Sequence, residues 1–68
     1  MDLIAATNDF GIKKEQFRRQ QVMYDSGLVS LALLEQRNQA YQESMAKRTS
    51  AEIKLSNARQ ELLRLRLL

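Results

Sequence analysis

Cysteine, histidine and proline are all absent from this chain of 68 residues. Without cysteine there is no disulfide, and without cysteine and histidine the usual zinc sites are excluded. The same two absences remove the ordinary base–nucleophile pairs of covalent catalysis. They leave the redox compartment open, because a helical protein of an oxidising compartment need not carry disulfides. Glycine occurs only at Gly11 and Gly27, and aromatic rings only at Phe10, Phe17, Tyr24 and Tyr41. So short a chain lies below the size at which one compact core is comfortable, and such chains recover stability through disulfides, a metal or association. Association is the route left open, so a homo-oligomer is expected.

Long apolar runs are also missing. A bilayer span needs ~18 apolar residues, and the longest stretch here, Leu28 to Leu34, is interrupted by Ser30. No direct membrane insertion by this segment is expected. The N-terminus has neither the basic start nor the apolar run of a signal peptide. A role outside the cytoplasm would therefore place the targeting sequence elsewhere, and the chain is expected to be a piece of a larger protein.

What remains is rich in Leu, Ala, Gln, Glu, Lys and Arg, all good helix formers. Residues 1–27 balance Asp2, Asp9, Glu15 and Asp25 against Lys13, Lys14, Arg18 and Arg19. Residues 28–68 set Glu35, Glu43, Glu52 and Glu61 against seven bases and so supply the whole net charge of +3. The bases alternate with acids and glutamines, as on a solvated coiled-coil face, and nucleic acid is not expected as a partner.

The clearest pattern is a 3-4 spacing of apolar residues. Leu3, Ala6, Phe10, Phe17 and Tyr24 follow it, with Lys13 and Gln20 at the intervening places. Leu34, Tyr41, Ala51, Leu55, Ala58, Leu62 and Leu65 follow a second series, broken by Arg37, Ser44 and Arg48. An average of 3.5 residues describes the seam of a left-handed coiled coil. The fold class is therefore all-α: an antiparallel two-helix hairpin, with a helix over about 3–25, a turn over about 26–29 and a longer helix over about 30–68.

Three local signals place the turn. Gly27 suits the left-handed position just after a helix, with Met23 and Leu28 set for the contact of a Schellman ending. Ser30 suits an N-cap. Val29 and Leu34 are spaced for a hydrophobic staple, although Leu33 stands where a capping box would have glutamate. Gly11, after Asn8 and Asp9, is the one place inside helix one that leaves room for a local weakening or a restart.

The two helices differ in length, ~35 Å against ~57 Å at 1.5 Å per residue. Folding about the turn brings Leu3 level with Glu52. Leu55, Ala58, Leu62 and Leu65 then lack a partner within the chain, and Leu63, Leu67 and Leu68 add apolar surface beside them. These residues are the candidates for self-association, unless helix one continues upstream and covers them.

Little is available for chemistry. Asp25 and Ser26 are the one close acid–hydroxyl pair, and turn formation accounts for both. Glu35, Glu43, Glu52 and Glu61 are eight or nine residues apart, which makes no metal cage. No enzyme activity, cofactor or metal is expected.

The stretch from Phe17 to Leu65, and above all RRQQVMYDSGLVS over residues 18–30, resembles the coiled-coil hairpin of the periplasmic adaptor, or membrane fusion, family (HlyD-like and AcrA-like proteins). In that family a helix ending in Arg-x3-Leu enters a short Gly-containing turn, and an Ile-Ser or Val-Ser pair opens a long returning helix. Its tip motif, Arg-x3-Leu-x6-Ser, is met here by Arg19, Met23 and Ser30, with Met23 in place of leucine. The resemblance implies a periplasmic location and a role in efflux or type I secretion. The partners it implies are a TolC-like outer-membrane channel at the tip and an inner-membrane transporter reached through other domains. It also implies contact roles for Arg19, Met23, Ser30 and Leu28, and side-by-side packing of hairpins. The same seam also suits an oligomerisation coiled coil of a regulator, which would have no use for an exposed tip.

Overall fold

A computed structural model describes residues 2–67. It contains two α-helices, α1 (Leu3–Asp25) and α2 (Leu31–Leu67), packed antiparallel in a rod of 62 × 15 × 15 Å. The expected hairpin is therefore present, with α2 the longer arm. Met1 and Leu68 lie outside the described residues.

Each helix end has a local cause. Asp2 caps α1, its carboxylate accepting from the Ala5 N–H at 2.8 Å. The sequence signal for this cap is an acid just before the first seam residue. At the other end, the Leu28 N–H donates to the Met23 carbonyl at 2.8 Å and the Gly27 N–H to the Tyr24 carbonyl at 2.9 Å. These two bonds make the Schellman ending expected at Gly27, whose φ is 76°. The Ser30 hydroxyl accepts from the Leu33 N–H at 3.2 Å, so Ser30 is the cap of α2 and not its first residue. Helix α1 runs through Gly11 without a break. No restart occurs there, and a Cβ at Gly11 would meet no atom, so packing does not require the glycine.

The core is a narrow seam. Ala6, Ser44 and Ala51 are buried, while Leu3, Phe10, Phe17, Leu34 and Tyr41 are half-buried along the same line. The Tyr41 ring is flanked by Phe10 at 5.6 Å and Phe17 at 5.7 Å between centroids. Each such pair is worth about 0.5–1.5 kcal/mol beyond its burial. The polar middle of the seam is accommodated piece by piece. Ser44 donates to the Tyr41 carbonyl at 2.7 Å, and the Arg48 guanidinium lies 5.2 Å from the Phe10 ring centre while pairing with Glu52 at 3.4 Å. Accommodation is incomplete: Oε1 of Gln16 and Gln20 and Nε of Arg37 and Arg48 are covered without a hydrogen bond. Beyond Ala51 every described residue is exposed.

Candidate docking tip

The chemistry-bearing residues named from the sequence gather at or near the turn. Arg19 and Met23 are one helical turn apart on the same face of α1. The Arg19 side chain is 68% exposed and reaches Glu15 at 3.5 Å through its Nε. Its neighbour Arg18 holds the same carboxylate with two shorter bonds, 2.6 and 3.1 Å. The hydrogen bond from Arg18 keeps the Glu15 carboxyl below its ordinary range, and Arg18 is raised in turn by Glu15. Arg19 is thus the outer partner of a shared acid, with most of its donors turned to solvent.

Leu28 is 71% exposed. Most of its side chain therefore stands out from the turn. Met23 is exposed as well, and its carbonyl is committed to closing the turn. The Ser30 oxygen accepts the capping bond, which leaves its proton free to be donated. Gly27 acts only through its backbone: a Cβ there would meet no atom, but the left-handed φ disfavours one.

Sequence reasoning missed part of this surface. Val22, Tyr24 and Leu31 are also exposed around the turn. Val22 and Leu31 lie off the seam series, which is the signal that could have found them. Tyr24, by contrast, is the last member of the helix-one series, and the seam opens before reaching it. The tip is therefore more apolar than its motif residues alone suggest, and clustered exposed apolar groups mark contact surfaces.

The self-association candidates Leu55, Ala58, Leu62 and Leu65 are not brought to the tip. They line the uncovered length of α2, with Leu62 and Leu65 more than half exposed. Among the described residues no three carboxylates converge as a metal site, and no helix is long and apolar enough to cross a membrane. Two open grooves lie on outer helix faces, one over Thr7, Gly11, Glu15 and Arg19 and one over Gln42, Met45, Thr49 and Ile53.

Comparisons with protein-family models, with curated proteins and with solved structures give no match to this chain.

Proposed function

We propose that this chain is the helical-hairpin segment of a periplasmic adaptor, bridging an inner-membrane transporter to a TolC-like outer-membrane channel in efflux or type I secretion. The observation that carries the reading is the tip: Arg19, Met23 and Ser30 keep the adaptor spacing around a Gly27 turn, and all three are exposed beside Leu28. The mechanism is geometric. A rigid rod sets a distance, and the tip supplies recognition. Arg19 donates to carbonyls or carboxylates of the channel, charge-assisted bonds being the stronger kind. Met23 and Leu28 fill a shallow apolar groove, and Ser30 offers its hydroxyl proton while capping α2.

A second reading, a coiled coil that serves only to oligomerise a regulator, is favoured by the bare leucines beyond Ala51. Placing this hairpin in an otherwise complete adaptor, in cells lacking their own, separates the two. Export restored by the native tip and lost with Arg19→Asp supports docking. Equal export from both would leave the tip as a mere turn and favour the oligomerisation reading.

A further inference from the structure

The seam between the arms is not equally strong along its length. The buried residues Ala6, Ser44 and Ala51 lie at or beyond the ring cluster of Phe10, Phe17 and Tyr41, as seen from the turn. Between that cluster and the turn, no residue from 18 to 40 is buried. Phe17 faces Tyr41 at 5.7 Å, so one seam step nearer the turn Gln20 comes level with Arg37. There Oε1 of Gln20 and Nε of Arg37, an acceptor and a donor, are covered without a hydrogen bond. One step further, Tyr24 is level with Leu33 and Leu34 and is still 38% exposed. The side-chain hydrogen bonds and ion pairs of this stretch stay within one helix or its cap, and none crosses between the arms.

We propose that residues 18–37 form a compliant tip, which opens at the Gln20–Arg37 layer while the seam from Tyr41 downward stays closed. Three features set where the opening starts and stops. Covering a donor and an acceptor without partners is unfavourable, and water entering the layer satisfies both. Closure at this level therefore gains little. The turn, by contrast, holds itself together. The bonds from Leu28 N–H to the Met23 carbonyl and from Gly27 N–H to the Tyr24 carbonyl, with the Ser30 cap, join near neighbours in sequence. They survive when the arms part, so the tip keeps its hairpin shape. On the other side the ring cluster is a stop. Parting there would uncover Phe10, Phe17 and Tyr41 and take Arg48 off the Phe10 ring, 5.2 Å away. Segments with few buried contacts open locally at lower free energy than the whole molecule. Arg19, Met23, Leu28 and Ser30 thus sit on the part that yields, and the arms below are the part that sets a distance. Only this use of the tip rests on the docking reading; the opening is a property of the chain alone.

Amide hydrogen exchange of the whole chain, resolved by residue with NMR, tests the opening. Amides of residues 20–24 and 34–37 should exchange roughly tenfold or more faster than those of 13–17 and 41–48, as expected of a separate unit of low local stability. Phe10→Ala weakens only the lower seam, so it should speed exchange in 13–17 and 41–48 and leave the tip rate unchanged. Gln20→Leu together with Arg37→Leu, which replaces the polar layer, should slow exchange at the tip. Equal rates in tip and lower seam, or a tip rate that rises in step with the lower seam in Phe10→Ala, would make the hairpin one cooperative unit and overturn the proposal. So would a tip rate that the paired leucines leave unmoved. Export is not read in this experiment, and a tip that fails it is still free to dock as a rigid one.

Discussion

Gly11 and Gly27 are the same residue type under opposite demands. At Gly27 the backbone is left-handed, with φ 76°, which costs an L side chain roughly 1–2 kcal/mol. At Gly11 the backbone is helical and a Cβ would meet nothing, so alanine gains about 0.5–1 kcal/mol by limiting the unfolded chain. Thermal unfolding followed by circular dichroism should therefore fall for Gly27→Ala and rise for Gly11→Ala. Glu15 offers a second check. Its folded-state pKa is lowered, first by the hydrogen bond from Arg18, so its contribution is present above the unfolded value and lost as pH falls through the folded one. The pair is exposed and the effect on stability small, so the titration itself is the observable. A carboxyl resonance of Glu15 should titrate on the acid side of the ordinary glutamate range and return toward it in Arg18→Ala. Movement in the opposite direction would contradict the pairing.

For the paired helices, the decisive feature is a seam that alternates apolar and polar layers. Phe10, Phe17 and Tyr41 make one ring cluster, and Arg37 lies half-buried nearer the turn with its Nε lacking a partner. Desolvating such a group without a bond is unfavourable, and an apolar replacement of similar size removes that cost. Arg37→Leu is expected to stabilise the hairpin by about 1 kcal/mol, read as a higher urea midpoint at unchanged slope. Tyr41→Ala should do the reverse and more strongly, losing about 2–3 kcal/mol, less than a fully buried aromatic truncation because the ring is half-buried. A midpoint unmoved by Tyr41→Ala would mean that the ring cluster does not hold the arms together.

Taken whole, the molecule is a rod with two unlike ends, and each has its own expected behaviour. At the tip, Arg19→Asp and Leu28→Ser should leave thermal unfolding nearly unchanged, since both side chains are mostly exposed, while the docking proposal has them abolish export by an adaptor carrying this hairpin. A large fall in stability from either would assign these residues to holding the turn. At the other end the residues beyond Ala51 add nothing to the seam, so Leu62→Ala, at an exposed position, should leave thermal unfolding nearly unchanged. Sequence alone determined the helices, the turn, both caps of that turn and the unequal arms. These depend on period, on one left-handed glycine and on short-range bonds, all written within a few residues of each other. Only the tertiary structure decided which face of each residue was left over. Packing two narrow helices brought Arg48 onto Phe10, set Tyr41 between two rings, and left Leu28, Val22 and Leu31 standing out at the tip. Those outcomes depend on where one helix's side chains meet the other's, a long-range property that spacing along one strand of chain does not contain.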